Sequence, residues 1–270
     1  MQDLSRLSLN QKTTDRWGVR EAVAGCVAHG IPAIALWRDK VADLGITEAA
    51  KIVRDAGLRV SSLCRGGAFP ATTAAARAER LDDNRQAIEE AVMLGTDLLV
   101  LVCGAAADKD LVAARTQVEE GIAAIAPFAA EYGVRLGIET LHPAFVGSRS
   151  VVVTLAEALD IAARIDYPNV GVVIDTYHVW WDPYLYEGIA RARGRIFGFH
   201  VNDWLEPNRD PLVSRGMMGD GVIEIRRIRE AIDAAGYTGP IEVEIFNESL
   251  WATPGNEVLP TLCARYLSEV

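Results

Sequence analysis

The sequence predicts a single-domain α/β protein folded as a (β/α)8 TIM barrel, and three observations predict it. Short apolar runs alternate with helix-length amphipathic stretches along all 270 residues, about eight times over. Several of the runs, residues 97–103 among them, are apolar nearly throughout, as strands are when both faces of a parallel sheet are covered. No G-x-G-x-x-G follows the first strand, and no Pro/Gly/Ser-rich linker divides the chain. Their absence argues against an open dinucleotide-binding sheet and against a second domain.

The elements follow in order. Residues 4–10 read as the first strand, and 17–29 as a helix with apolar positions at Val19, Ala22, Val23 and Cys26, the spacing of one helical face. A strand is expected over 32–37, then a helix over about 47–56 that Gly57 ends as an αL-tolerant residue. The third strand is read as 58–64, and Arg65-Gly-Gly-Ala-Phe-Pro70 as a flexible loop. An Ala/Arg-rich helix runs to about Leu94, stopped by Gly95. The strand 97–103 follows, then a long helix over about 110–132 capped at Gly133. The second half repeats the pattern: strands at 134–139, 170–175, 195–201 and 241–246, with helices near 154–165, 183–192, 222–235 and 257–268.

Composition narrows the function. A formal net charge of -10 opposes attraction to nucleic-acid phosphates and to anionic membranes. Cys26, Cys64, Cys103 and Cys263 are scattered without C-x-x-C spacing, so neither a zinc knot nor a disulfide scaffold is expected. The first residues hold no apolar signal region, and no apolar run approaches about 18 residues. A soluble cytoplasmic protein is therefore expected, with no nucleic-acid or membrane partner.

Four of the last strands end on metal-ligand residue types. Val134-Arg-Leu-Gly-Ile-Glu139 closes on a carboxylate, Gly171-Val-Val-Ile-Asp175 on another, Ile196-Phe-Gly-Phe-His200 on an imidazole, and Ile241-Glu-Val-Glu-Ile-Phe246 carries Glu244. Barrel reaction sites lie where strands give way to the following loops. Period-two counting puts Gly137 with Glu139, Val173 with Asp175, Gly198 with His200, and Glu242 with Glu244 on common faces. Taken singly, Asp175 reads equally as a helix N-cap, Glu139 as a loop carboxylate, His200 as a core histidine, and Glu244 as a salt-bridge partner. Together, three carboxylates buried without a cation would be strongly unfavourable. The donor set suits one divalent ion, Mn²⁺ first, with Mg²⁺, Co²⁺ or Fe²⁺ as alternatives. Glu242, one layer deeper, is read as structural, with Arg135 as its interior partner.

Glu139 after Leu-Gly-Ile, the Ile-Asp-Thr-Tyr-His run of 174–178, His200 in Gly-Phe-His-Val-Asn-Asp, and Gly239-Pro-Ile-Glu-Val-Glu-Ile-Phe246 together resemble the xylose isomerase-like TIM barrel superfamily. That group holds sugar isomerases and epimerases, with ketose 3-epimerases and inosose dehydratase as relatives. The resemblance implies that Glu139, Asp175, His200 and Glu244 hold the ion. It further implies that Glu139 and Glu244 exchange protons with substrate and that His178 touches substrate oxygens. Two departures stand out. The epimerases carry His-x-His where this chain has Gly198-Phe-His200, and their substrate arginine has two candidates here, Arg209 and Arg215. Arg215 is preferred because it precedes the Gly219-Asp-Gly221 turn.

Trp17, Trp37, Trp180, Trp181, Trp204 and Trp251 all fall at or after expected strand ends, where indoles can stack on sugar C–H surfaces. Some would instead seal the barrel top or form an oligomer contact, a dimer or tetramer. Trp37 and Trp180 are the substrate candidates among them, with His142 and Asp203, the latter supporting His200 or a hydroxyl. Arg38, Arg65, Cys64 and Cys103 lie at the same end, and residues 140–152 and 203–221 could act as lids.

The expected activity is that of a sugar isomerase or epimerase that removes a proton next to a carbonyl, with the ion stabilising an enediolate. A lyase or dehydratase eliminating a β leaving group shares the first half of that reaction. An apurinic-site endonuclease would need a basic face that an acidic chain with four histidines does not offer. A non-catalytic sugar-binding barrel would leave the acid/base pair without a use.

Overall fold

The computed structural model describes residues 3–270. Eight strands, β1 (Leu7–Asn10), β2 (Ala33–Trp37), β3 (Arg59–Gly67), β4 (Leu98–Val102), β5 (Arg135–Glu139), β6 (Val170–Asp175), β7 (Ile196–Val201) and β8 (Ile241–Val243), close into a parallel barrel. Neighbours run β1-β8-β7-β6-β5-β4-β3-β2, and the last strand seals the first through Leu7↔Ile241 and Leu9↔Val243. The strands are buried almost throughout, as continuous apolar runs require. One large core fills the space between barrel and helices. A small separate cluster of Trp37, Cys64, Val100, Val173 and Phe246 includes inward-facing strand residues. Gly137 and Gly198 make room for Val173 there: a Cβ at Gly137 would lie 2.6 Å from its Cγ2. Among the described residues no helix is long and apolar enough to cross a membrane.

The structure departs from the sequence reading in the connections. The stretch expected as a flexible loop after Cys64 continues β3 to Gly67, with a register shift between Cys64 and Gly66. Asn84 clamps its end, accepting from the Gly67 amide at 2.7 Å and donating to the Gly67 carbonyl at 2.8 Å. Gly67 has φ +105°, and a Cβ there would stand 2.1 Å from the Val102 carbonyl oxygen. Gly67→Ala should therefore cost about 1–3 kcal/mol of backbone strain, read as a lower melting temperature. An unchanged melting temperature would mean that the bulge is not held this tightly.

Short elements also appear that the apolar period did not show. Helix Arg38–Leu44 precedes helix Ile46–Asp55, Thr176–Val179 starts directly on Asp175, and Glu248–Ala252 follows the last strand. Asp203–Trp204 and Arg215–Gly216 form a two-stranded antiparallel ladder over the barrel end.

Candidate metal centre

Glu139, Asp175, His200 and Glu244 are all buried. Each offers a donor atom, and those four atoms lie within 4.8 Å of one another. Strand alternation and register bring them there. Asp175 is level with His200 across β6 and β7, His200 is level with Glu242 across β7 and β8, and Glu244 stands two residues beyond Glu242. Asp175 proves to be both a helix cap and a site residue. Its Oδ1 accepts from the Tyr177 amide and from Asn202 Nδ2, each at 2.9 Å. Its Oδ2 faces Arg215 Nη1 at 2.8 Å.

His200 joins the cluster to a deeper carboxylate. Its Nδ1 lies 3.2 Å from Glu139 Oε1 and 3.8 Å from Glu244 Oε2, while Nε2 lies 3.2 Å from Glu242 Oε2. Neither ring nitrogen, nor Glu139 Oε1, makes a well-directed hydrogen bond despite these separations. Burial pushes the imidazole down, but Glu242, Glu139 and Glu244 outweigh it and hold His200 well above its ordinary value. Glu242 is pushed up by burial, yet His200 with Ser61 and Ser62 keeps it below the usual carboxylate range. Its partners are thus His200, Ser61 Oγ at 2.8 Å and Asn10 Nδ2 at 3.2 Å. Arg135, the interior partner expected from the sequence, instead pairs with Asp97 at 2.8 Å and lies over the Phe197 ring. The difference arises because Arg135 begins β5, at the end of the barrel away from Glu139.

Arg215, not Arg209, enters the site. Its guanidinium lies between the rings of Tyr177 and Phe246, at 4.8 and 4.6 Å from their centroids. Nη1 donates to Asp175 Oδ2 at 2.8 Å and to Glu244 Oε2 at 2.9 Å. Burial, opposed by Arg215, leaves Asp175 raised, and burial likewise raises Glu244 against the pull of His200 and Arg215.

His178 is positioned by His142. The His142 backbone amide, which can only donate, reaches His178 Nδ1 at 3.1 Å. Nδ1 must therefore accept, and the neutral ring carries its proton on Nε2. Burial, with Arg215 next, pushes His178 well below its ordinary value, so the ring is neutral. Nε2 stands 3.2 Å from Arg215 Nη2. Two donors then face one another, and an acceptor oxygen lying against both would satisfy them.

The residues fit a divalent ion. Three carboxylates and one imidazole are a hard-to-borderline donor set, and Glu139 Oε1 and His200 Nδ1 are buried without hydrogen-bond partners. Among the described residues, the cations in ion-pair contact with the four carboxylates, Glu242 included, are Arg215 and His200. Two negative charges are left over in a buried setting, where uncompensated charge is costly.

The remaining candidates separate. Trp37 ends β2, and its Nε1 donates to Asn10 Oδ1 at 2.8 Å. Trp180 packs on Trp204, which also stacks with His142 and Tyr177. Trp17 lies against the helix glycines Gly25 and Gly255, away from the cluster. Asp203 corrects the sequence reading. Its two oxygens accept from the backbone amides of Trp204, Gly219, Gly221 and Ile223 at 2.9–3.0 Å, so it pins the segment carrying Arg215 and supports neither His200 nor a free hydroxyl. Cys64 and Cys103 are buried thiols, pushed up first by burial and then by neighbouring carboxylates.

Sequence reasoning missed two asparagines. Asn10 Nδ2 donates to Glu244 Oε1 at 3.1 Å, and Asn202 Nδ2 braces Asp175 and the Glu244 carbonyl oxygen. Position gave a signal in both cases: Asn10 ends a strand, and Asn202 lies two residues beyond His200.

Comparison with known proteins agrees with this architecture. The family model described as "Xylose isomerase-like TIM barrel" matches residues 23–264. A 3-dehydroshikimate dehydratase of Pseudomonas aeruginosa is 30% identical over 196 residues, covering 66% of this chain and 28% of that protein. An inosose isomerase of Bacillus licheniformis is 25% identical over 193 residues, covering 68% of this chain and 66% of that one. The matched stretch is thus under two thirds of either curated relative. A solved protein structure from Sinorhizobium meliloti 1021 superposes with TM-score 0.97 at 49% identity, covering 99% of both chains. The IOLI protein, solved with a bound zinc atom, superposes at TM-score 0.87 and 20% identity over 98% of each chain, a likeness of fold.

Proposed function

The chain belongs to the xylose isomerase-like TIM barrel family, and from that premise we propose that it is a divalent-metal-dependent isomerase or epimerase of a keto sugar or related polyol. The observation that carries the reading is the buried cluster of Glu139, Asp175, His200 and Glu244, with the facing donors of His178 and Arg215 beside it. These four residues would hold the ion, Mn²⁺ in our reading. A divalent cation bound there supplies Lewis-acid polarisation of the substrate carbonyl and compensates charge as an enediolate develops.

The chain's own groups supply the rest. With Glu139 Oε1 buried beside His200 and left to the ion, the second oxygen of Glu139 would take the proton next to the carbonyl. Glu244 has Oε1 on Asn10 and Oε2 on Arg215, a held position suited to returning a proton. The Nε2–H of His178 and Nη2 of Arg215 fix one substrate oxygen between them. Glu242 orients His200, as a carboxylate behind a ligating histidine does. Tyr177 and Phe246 keep the Arg215 guanidinium in place. We place the enzyme in the cytoplasm, as a homo-oligomer acting on a small carbohydrate.

A second reading, β-elimination by a lyase or dehydratase, is favoured by the 30% identity to a dehydratase and shares the first proton transfer. Proton NMR in D₂O tests both readings. Metal-stripped protein, reloaded with Mn²⁺ and then chelated before spectra are taken, would be run on ketoses, inosose and 3-keto-glycosides. Metal-dependent deuterium uptake next to a carbonyl is expected, and the product separates epimer, aldose and eliminated enone. Stripped and reloaded protein behaving identically, with no divalent ion held, would sink the proposal.

A further inference from the structure

A pocket of about 440 Å³ opens at the C-terminal barrel end, lined by Lys12, Trp37, Arg38, Asp39, Cys64, Arg65, Arg149 and Phe246, within the usual size range for small-ligand sites. Its apolar floor adjoins the candidate metal centre. Trp37 donates to Asn10, which holds Glu242 and Glu244, and Phe246 underlies the Arg215 guanidinium. The walls carry four cations and one carboxylate in a chain whose net charge is -10.

The four cations are not equivalent. Lys12 is paired with Asp15 at 2.9 Å and Asp39 at 3.4 Å. Arg38 is drawn to Glu90 at 2.6 Å and Asp83 at 3.0 Å. Arg65 and Arg149 make no side-chain hydrogen bond or ion pair among the described residues, although acidic residues outnumber basic ones by 37 to 27. Arg149 is half-buried, on a backbone anchored through its amide to Phe145 and through its carbonyl to Gly104. Burial, then Arg65 and Arg215, push its guanidinium down against the weaker pull of Glu139 and Glu244. A half-buried guanidinium flanked by Arg65 and Arg215, within the field of Glu139 and Glu244 but in ion-pair contact with neither, is an incomplete arrangement, and a bound anion completes it.

We propose that Arg65 and Arg149 receive the anionic end, a carboxylate or a phosphate, of a substrate whose carbonyl lies at the candidate metal centre. This inference rests on the isomerase reading above and narrows its substrate class to acidic or phosphorylated keto sugars and polyols. Trp37 and Phe246 would cover the carbon chain between the two ends, and the paired Lys12 and Arg38 would add to the field without binding directly.

The test is calorimetric binding to the full-length Mn²⁺-loaded protein with matched probes: D-ribulose against D-ribulose 5-phosphate, and D-fructose against D-fructuronate. Wild type is compared with Arg65→Gln/Arg149→Gln, folding being checked by circular dichroism. At least one charged probe should bind about 10-fold or more tighter than its neutral partner. The double variant should erase most of that preference and leave neutral affinity within about 2-fold. Which charged probe wins separates carboxylate from phosphate. Equal affinity within both pairs, or equal loss for charged and neutral probes in the variant, overturns the proposal. Deuterium exchange on the same panel keeps the two ideas apart. Charge preference without exchange retains the anion pocket and sinks the isomerase reading, whereas exchange on neutral ketones without charge preference does the reverse.

Discussion

Glu139→Gln should slow deuterium exchange next to the substrate carbonyl by about 10²–10⁴-fold, the range a positioned acid/base group contributes. The substitution keeps the shape of the side chain and an oxygen able to approach a cation, but removes the charge that accepts a proton. Glu139 is the sharper choice over Glu244 because both oxygens of Glu244 are already held, by Asn10 and by Arg215. Loss of exchange with the metal content, measured by mass spectrometry, and the substrate affinity near wild type would establish proton transfer as the missing step. A barrel that binds sugar without chemistry predicts the opposite: affinity shifts, and no exchange exists to lose. Full exchange in the variant would remove Glu139 from the base's role.

Arg215→Met should destabilise the metal-free protein by about 3–5 kcal/mol, the cost of leaving buried charges without a partner. Methionine retains length and apolar contact between Tyr177 and Phe246 but offers nothing to Asp175 Oδ2 and Glu244 Oε2. For a chain of this size the melting temperature should fall by on the order of 10 °C. Added Mn²⁺ should then stabilise the variant more than the wild type, because two donor carboxylates no longer share their charge with the guanidinium. Equal stabilisation of both proteins would show that Arg215 and the ion do not draw on the same oxygens.

The barrel and its four convergent candidate ligands were legible because each is written in local sequence. Continuous apolar runs mark doubly covered strands, and Glu139, Asp175 and His200 each stand at the end of one. What was not legible depends on contacts made across the chain. The partner of Glu242 is set by the level at which β7 and β8 pair, which no stretch of sequence states, and it is His200 rather than Arg135. Asp203 sits next to the site in sequence, yet it folds onto the amides of Gly219 and Gly221, 16 and 18 residues away. The helix Arg38–Leu44 buries only Val41 and so leaves no apolar period to read. Arg149 lay inside an expected lid, where nothing local shows that its guanidinium lacks a partner.

The barrel divides its labour unevenly between its halves. The candidate proton-transfer groups and cation donors come from β5 to β8, while the pocket is lined from the ends of β1, β2 and β3 by Lys12, Trp37, Arg38, Cys64 and Arg65 and completed from the second half by Arg149 and Phe246. Inheritance can therefore act on the two separately. Exchanges at 12, 38 and 65 can retune which molecule is admitted while the reacting constellation descends unaltered. Chimaeras joining the first three βα units of one member to the remainder of another should therefore carry Arg65's share of the preference with the former, and the reaction type together with Arg149's share with the latter.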